Sequence, residues 1–122
     1  MDSSLSRIVE KPWGHEEWWA QTEHYVAKVI YVKKGHRLSL QYHRVKEETM
    51  RVLSGVATIQ LGNDKHYLSQ GQTIHIPPGT VHRLEAEFGD IEVVEVSTIQ
   101  VDDIVRLEDD YMRVSSTPNQ NL

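Results

Sequence analysis

Four side chains in two separated segments have the types and the spacing of a metal site. Gln41 and His43 stand two residues apart, and Glu48 follows after a short connection. In the second segment, His82 comes just after a Pro-Pro-Gly turn at 77–79. Imidazole nitrogens, a carboxylate and an amide oxygen together suit a borderline divalent ion such as Zn²⁺, Mn²⁺ or Fe²⁺. The set predicts one bound divalent ion, with a position open to water or substrate if the ion is five- or six-coordinate.

This metal prediction rests on the joint pattern and not on any single histidine. The chain has seven histidines, and one histidine taken alone is more often a surface or hydrogen-bonded core residue than a ligand. Gln41 and His43, however, fall in an alternating segment at 38–43, and side chains two residues apart in a strand share a face. In an antiparallel sandwich this segment and the one that carries His82 can be neighbours.

The rest of the sequence predicts short strands that would bring these segments together. Runs rich in β-branched and aromatic residues are separated by glycine, proline, asparagine and aspartate, which indicates an all-β sandwich or barrel. The predicted strands are 25–33, 38–43, 49–53, 56–61, 66–68, 73–76, 81–87 and 91–98. A short C-terminal helix is predicted at 102–113, where Asp102 and Asp103 suit a helix N-terminus. We expect one domain at 8–113, with flexible termini at 1–7 and 114–122.

Composition excludes several classes of function. The chain of 122 residues fits one domain, and it has no cysteine, which removes disulfides, thiolate metal sites and cysteine nucleophiles. Its net charge is −5 and no basic run is present, so we expect no nucleic-acid partner. No apolar stretch is long enough to cross a bilayer, and the N-terminus lacks the apolar core of a signal peptide. These features predict a cytoplasmic protein without a membrane partner.

The strand at 25–33 is apolar on both faces. Val26, Ile30 and Val32 share one face, whereas Val29 and Tyr31 share the other. A strand of this kind is covered on both sides, and one cover is the sandwich interior. A second sheet layer or a partner subunit would supply the other cover, so a homodimer is predicted.

The spacing of glycine, proline and ligand residues resembles the two motifs of the cupin family. The first motif matches Gly35, Gln41, His43, Glu48 and Gly55, and the second matches Gly71, Pro77, Gly79 and His82. Two positions depart from it, because many cupins have histidine at position 41 and asparagine at position 86, where this chain has Gln41 and Ala86. The resemblance implies the cupin double-stranded β-helix, a jelly-roll sandwich.

A longer resemblance, over about 8–113, is to one branch of the cupins, the type II mannose-6-phosphate isomerase domain. It is carried by KPWG at 11–14, YVAKVI at 25–30, LSLQYH at 38–43, IPPGTVHRL at 76–84 and DDIVR at 102–106. In longer bifunctional enzymes this domain follows a GDP-mannose pyrophosphorylase domain. That branch has glutamine as its first ligand, so the resemblance implies a metal site of Gln41, His43, Glu48 and His82. This chain departs from the branch at three places: Lys46 stands where the branch has Arg, Thr49-Met50 where it has His-Trp, and Met112 where it has Gly.

The resemblance implies reversible conversion of mannose 6-phosphate to fructose 6-phosphate, which needs a Lewis acid, a proton carrier and cations for the phosphate. Lys28 is the candidate catalytic base or charge stabiliser, since a lysine facing an apolar pocket has a lowered pKa. A solvent-facing lysine on an edge strand is the competing interpretation. Lys46, Arg83 and Arg106 are the candidate substrate-binding residues, although Arg83 has the opposite strand parity to His82 and so could point outward.

Two other classes of function stay open on the sequence. One is a non-catalytic, metal-binding cupin that binds a sugar or another small ligand as a sensor or accessory protein; Lys46, Thr49 and Met50 favour it. The other is a metal-dependent oxygenase, which two histidines and one carboxylate around iron would suit. Fold alone does not decide among the three classes.

Overall fold

The computed structural model describes residues 6–115, and these form eleven β-strands. The strands are β1 (Arg7–Lys11), β2 (Gly14–Gln21), β3 (Val26–Val32), β4 (Leu40–Tyr42), β5 (Glu48–Ser54), β6 (Ala57–Leu61), β7 (Asp64–Leu68), β8 (Thr73–Ile76), β9 (His82–Glu85), β10 (Ile91–Ser97) and β11 (Val105–Glu108). Of the flexible termini that were predicted, 1–5 and 116–122 lie outside the described residues. Arg7 belongs to a strand, and Ser115 hydrogen bonds to Arg106.

Two antiparallel sheets face each other. One has six strands in the order β1-β2-β3-β10-β5-β8, and the other has five in the order β11-β4-β9-β6-β7. Some neighbours in each sheet come from distant parts of the chain, as when β10 inserts between β3 and β5. The all-β sandwich predicted from the sequence is therefore confirmed. No helix in the described part of the chain has the length and apolarity needed to cross a lipid bilayer.

The inner faces of the sheets divide into an apolar half and a polar half. Period-two alternation sends one face of each strand inward, and the larger apolar side chains pack between the sheets. The buried core is formed by Trp13, Ile30, Val32, Met50, Val52, Ala57, Ile59, Ile76, Leu84, Ala86, Ile91 and Val93. Buried charged side chains of the same inner faces lie beside this core, which therefore closes one side of the functional site.

The C-terminal helix predicted at 102–113 is wrong. This segment forms a turn, strand β11 and a second turn, and β11 pairs with β4. The carboxylate of Asp103 does not cap a helix; it accepts hydrogen bonds from the backbone amides of Arg44, Val45 and Lys46. Pairing with the open edge of β4 thus outweighs the weak local preference for helix, a preference that tertiary context routinely overrides.

Gly14 allows β2 to approach β3 more closely than any side chain would permit. Its φ is +154°, and a Cβ added there would lie 1.9 Å from the carbonyl oxygen of Tyr31. We expect Gly14→Ala to lower the free energy of unfolding by about 3 kcal/mol, because backbone atoms cannot yield to the methyl group. Urea unfolding monitored by tryptophan fluorescence measures the change.

Gly62 supplies the matched control for this substitution. Its φ is +57°, and nothing lies within 4 Å of the position its Cβ would take. Gly62→Ala carries only the left-handed backbone cost of about 1 kcal/mol. Equal losses of stability in the two variants would contradict the close approach of β2 and β3.

Candidate metal centre and its cavity

Three of the four predicted ligands meet at one point between the sheets. His43 follows β4 directly, Glu48 is the first residue of β5, and His82 is the first residue of β9. Their ligand atoms all lie within 4.8 Å of one another, and all three residues are buried. Pairing of β4 with β9 in one sheet brings His43 close to His82. Glu48 reaches them from β5, which belongs to the facing sheet.

The two imidazoles both turn their Nε2 atoms toward the carboxylate. His43 Nε2 lies 2.9 Å from Glu48 Oε1, and His82 Nε2 lies 4.0 Å from Glu48 Oε2. The ring centroids of the two histidines are 5.1 Å apart. This separation is within the span of two ligands on one ion.

Backbone carbonyl groups fix which nitrogen of each histidine carries the proton. His43 Nδ1 donates to the carbonyl oxygen of Asp103 at 2.6 Å, and His82 Nδ1 donates to that of Thr80 at 2.8 Å. A carbonyl oxygen only accepts, so Nδ1 is protonated in both rings and each neutral imidazole keeps its Nε2 lone pair for the centre. Glu48 Oε1 is buried without a hydrogen-bond partner, although His43 is close. Converging lone pairs of this kind fit a cation, so the cluster could hold a metal ion.

Gln41 lies beside this cluster on the same face of the sheet. It is the residue of β4 that pairs with His82 of β9, and cross-strand partners share a face. Its amide nitrogen donates to the carbonyl oxygen of Ser39 at 3.3 Å. The amide oxygen is then the end of Gln41 that remains for a cation.

Neighbouring donors and charges keep Glu48 ionised in spite of its burial. Burial alone would raise the pKa of Glu48, but the contact with His43 and the Lys46 ammonium hold that pKa well below its usual range. Burial is also the main cause that lowers the pKa of His82, with Glu48 acting in the opposite direction. A carboxylate with neutral imidazoles is the protonation state that metal ligation requires.

Lys28 faces the same cavity from the opposite sheet. Its Nζ lies 3.2 Å from Glu16 Oε2 and 3.9 Å from Glu95 Oε2, and 4.8 Å from the centre of the Trp18 ring. Lys28 pairs with Trp18 on one side and with Glu95 on the other, so the three side chains form a row across the inner face of the sheet. The sequence-based expectation that Lys28 faces the interior is confirmed, but the pocket around it is ionic as well as apolar.

Lys46 reaches the same ionic cluster. Its Nζ donates to Glu95 Oε2 at 3.1 Å and lies 3.3 Å from Glu48 Oε1. Burial would lower the pKa of Lys46, but Glu95 and Glu48 together raise it above the usual value. Burial, followed by the charge of Glu48, raises the pKa of Glu95. Lys46 therefore carries a permanent charge that holds the two carboxylates side by side.

The structure does not bring Arg83 to the cavity. Arg83 Nε donates to the carbonyl oxygen of Leu38, and Nη1 lies 3.5 Å from Glu108 Oε1. Its strand parity is opposite to that of His82, as the sequence indicated, and its buried guanidinium joins β9 to neighbouring chain segments. Arg106, in contrast, lines the cavity beside Gln41, its pairing partner in β4.

The cavity has a volume of about 320 Å³ and includes several charged residues that the sequence analysis did not select. They are Lys11, Glu16, Glu95, Asp102 and Arg113. Glu16 is only 5% exposed and binds Lys28, so it is not a solvated surface residue. The alternation of Gly14, Glu16 and Trp18 along β2 was the available signal.

The tryptophans and His75 occupy three different environments. Trp13 is a core residue, whereas Trp18 lines the cavity and donates from Nε1 to Glu16 at 2.9 Å. Trp19 is exposed. His75 lies on the outer face of β8, where its ring contacts Glu47, so it does not belong to the centre.

Comparison with known proteins identifies relatives that are much longer than this chain. Mannose-1-phosphate guanylyltransferase ManC of Salmonella typhimurium is 36% identical over 114 residues, which cover 90% of this chain and 24% of the relative. Alginate biosynthesis protein AlgA of Pseudomonas aeruginosa is 39% identical over 112 residues, covering 88% of this chain and 23% of the relative. The chain thus spans about a quarter of the length of these curated relatives.

Solved structures share the fold at low sequence identity. The capsular polysaccharide assembling protein CapF of Staphylococcus aureus has a TM-score of 0.75 and 21% identity, over 85% of this chain and 32% of CapF. KdgF from Halomonas sp. has a TM-score of 0.70 and 20% identity, over 77% of this chain and 86% of KdgF. A Klebsiella pneumoniae protein described as having a double-stranded β-helix domain has a TM-score of 0.68, with 22% identity over 77% of this chain and 84% of that protein. The predicted cupin fold is confirmed.

A family described as mannose-6-phosphate isomerase C-terminal matches residues 2–109 of this chain. The match spans nearly all of the 122 residues and includes the four predicted ligands together with Lys28 and Arg106. The chain therefore belongs to the mannose-6-phosphate isomerase C-terminal family.

Proposed function

We propose that this domain is a metal-dependent sugar-phosphate isomerase that interconverts mannose 6-phosphate and fructose 6-phosphate. The observation that carries the proposal is the shared cavity, in which the His43–Glu48–His82 cluster of ligand atoms and the Lys28 amino group face the same space. Family membership supplies the substrate class. The volume of the cavity, about 320 Å³, is within the usual range for small-molecule pockets.

The metal would be held by Gln41, His43, Glu48 and His82. When bound, a divalent ion supplies Lewis-acid stabilisation of the negative charge that develops on the two adjacent substrate oxygens. The two carbonyl groups that fix the histidine tautomers belong to the loop residues Asp103 and Thr80, so these loops orient the ligands.

The reaction moves one proton between neighbouring carbons. The C2–H bond of the aldose breaks, a C–H bond forms at C1, and a hydroxyl proton passes between the two oxygens, so atoms balance without a redox partner. We assign this proton transfer to Lys28 Nζ, which Glu16 and Glu95 hold in the cavity. The Trp18 ring beside Nζ limits the access of water to the amino group.

Lys46 is assigned to the support of the metal ligand and not to substrate binding. Its Nζ donates to Glu95 and forms an ion pair with Glu48, so its charge is matched inside the protein. Arg83 is likewise engaged with Leu38 and Glu108 away from the cavity. Of the three substrate-binding residues predicted from the sequence, only Arg106 remains a candidate for direct contact with the substrate.

A coupled assay tests the proposed function directly. Protein freed of metal with a chelator and then supplied with Mn²⁺ or Zn²⁺ is expected to convert mannose 6-phosphate to fructose 6-phosphate, measured by coupled detection of the product. Activity should fall to background when the chelator is present, because the ligand cluster without an ion has no Lewis acid to stabilise the charge on the substrate oxygens.

The same samples discriminate between the competing functions. Saturable heat of mannose 6-phosphate binding without turnover would favour the non-catalytic sugar-binding cupin. Oxygen uptake with Fe²⁺ would favour an oxygenase, and either result would overturn the isomerase assignment. The homodimer and the cytoplasmic location stay predictions; sedimentation of the purified chain measures the first.

A further inference from the structure

Three cationic side chains that line the cavity come from opposite ends of the chain. Lys11 is the last residue of β1, Arg106 is the second residue of β11, and Arg113 follows the turn after β11. All three are half-buried and line the cavity that holds the metal cluster. We call Lys11, Arg106 and Arg113 the cation cluster.

The other cations of the cavity are matched by buried carboxylates. Lys28 contacts Glu16 and Glu95, and Lys46 contacts Glu95 and Glu48. These five side chains form a closed ionic network on the inner face of the six-stranded sheet. Glu16 is the carboxylate of this network that acts on Lys11, and it already accepts hydrogen bonds from Lys28 and from the Trp18 indole.

Two of the three members of the cation cluster lack an anionic partner. Within residues 6–115, the side chains of Lys11 and Arg106 form no hydrogen bond or ion pair, and Arg106 Nε is buried without a hydrogen-bond partner. Arg113 alone has a partner, Asp109, whose carboxylate accepts from its Nε at 2.8 Å and from Nη2 at 3.1 Å. Asp102 also lines the cavity, but it is exposed and forms no ion pair with Lys11 or Arg106 within the same range.

The electrostatics of these groups reflect their proximity. Burial lowers the pKa of Lys11, and the guanidinium groups of Arg106 and Arg113 lower it further, against the charge of Glu16. Burial and Arg113 likewise lower the pKa of Arg106. Like charges held together in a partly desolvated wall repel one another, and a bound anion relieves the repulsion.

Strand register sets the distance from this cluster to the metal centre. Arg106 pairs with Gln41, and Gln41 pairs with His82, so the three residues form one row across β11, β4 and β9 and share a face. Neighbouring strands lie about 4.8 Å apart, which separates the backbones of Arg106 and His82 by roughly 10 Å. A ligand that spans the row would have its reacting oxygens at one end and an anionic group at the other.

We propose that Lys11, Arg106 and Arg113 bind the phosphate dianion of a phosphomonoester substrate, on the far side of Gln41 from His82. The assignment of this phosphate to a sugar rests on the proposed function. Arginine presents several donors in a planar fork that matches phosphate oxygens, and the unpartnered Nε of Arg106 is available for it. Lys11 adds a point charge, and Asp109 holds Arg113 in place, which reduces the entropy lost on binding.

Charge-matched variants of the full chain test this subsite. We expect Arg106→Gln and Lys11→Gln each to raise the KM for mannose 6-phosphate by about 10- to 100-fold, because each removes a charge-assisted contact to phosphate. Arg106→Lys should give an intermediate KM, since it keeps the charge and loses the fork. Arg51→Gln and Lys65→Gln change exposed residues of β5 and β7 in the same way and should leave KM unchanged.

A binding measurement separates this proposal from the proposed function. Inorganic phosphate is titrated calorimetrically into each variant, with and without Mn²⁺, and matching thermal melts verify the fold. Weaker phosphate binding by Arg106→Gln and Lys11→Gln supports the subsite even if no variant isomerises sugar, in which case only the isomerase assignment fails. Phosphate binding equal to that of the unmodified chain in both variants would overturn the subsite, whether or not turnover is seen.

Discussion

Replacing His82 with alanine is expected to weaken binding of a divalent ion by more than roughly 100-fold, since changes to outer-shell partners alone cost about 10- to 100-fold. The imidazole is buried, its Nδ1 is fixed by the carbonyl oxygen of Thr80, and its Nε2 faces Glu48. Its loss leaves His43 and Glu48 as two strong ligands with the amide of Gln41. Metal content after dialysis against Mn²⁺ or Zn²⁺, measured by mass spectrometry of the element, gives the stoichiometry.

His75→Ala is the matched control for this prediction. His75 is an exposed histidine of β8, its ring contacts Glu47, and it does not line the cavity. The variant is expected to keep the metal content of the unmodified chain, and both variants are expected to keep a cooperative thermal transition. Unchanged metal content in a folded His82→Ala variant would remove His82 from the ligand set.

Lys28→Met is expected to lower kcat by about 100- to 10,000-fold, the range that a positioned acid or base contributes. Methionine keeps most of the length of the side chain between Trp18 and Glu95 but removes the amino group that carries the proton. Metal content should not change, because Lys28 is not a ligand. Initial rates with mannose 6-phosphate at saturating Mn²⁺ give kcat and KM separately.

Lys65→Met provides the control, because Lys65 is an exposed lysine of β7 in the other sheet. Its kcat is expected to equal that of the unmodified chain. If Lys28→Met stays folded, binds metal and retains more than about a tenth of kcat, proton transfer belongs to another group. Glu95 and Glu16, which contact Lys28 in the cavity, would then be the next residues to replace.

The residues proposed as metal ligands could be selected from the sequence because local sequence fixes their positions. Period-two geometry puts Gln41 and His43 on one face, and the Pro-Pro-Gly turn at 77–79 delivers His82 to the start of β9. The same parity argument showed that Arg83 could point outward, although Arg83 was also selected as a substrate-binding candidate. These residues lie within short segments whose spacing carries the cupin motifs, so a single chain was sufficient to select them.

The ionic partners were not predictable, because they depend on which strands are neighbours. Glu16 and Lys28 meet only because β2 and β3 pair in one particular register, and Glu95 joins them because β10 inserts beside β3. Lys11 ends β1 of the six-stranded sheet, and Arg113 follows β11 of the five-stranded sheet. The two residues therefore come together only when the sheets pack against each other. No local pattern of charge encodes such contacts.

The error over the C-terminal segment has a similar physical origin. Two aspartates at 102–103 resemble a helix N-terminus locally, but the backbone amides that Asp103 caps belong to 44–46, in a loop far away in sequence. The exposed edge of β4 recruits Val105 and Arg106 into a strand. This pairing also delivers Arg106 to the cavity, so the element that local sequence failed to predict carries part of the site.

Pulsed electron paramagnetic resonance of the chain loaded with Mn²⁺ tests the central claim most directly. Two imidazoles from distant segments should both be bonded to a single ion, through the nitrogens that their backbone contacts leave free. We predict one Mn²⁺ per chain with coupling to two histidine nitrogens, and coupling to one nitrogen after His82→Ala at high Mn²⁺. A Mn²⁺ signal without nitrogen coupling, or no bound Mn²⁺ at all, would contradict the account.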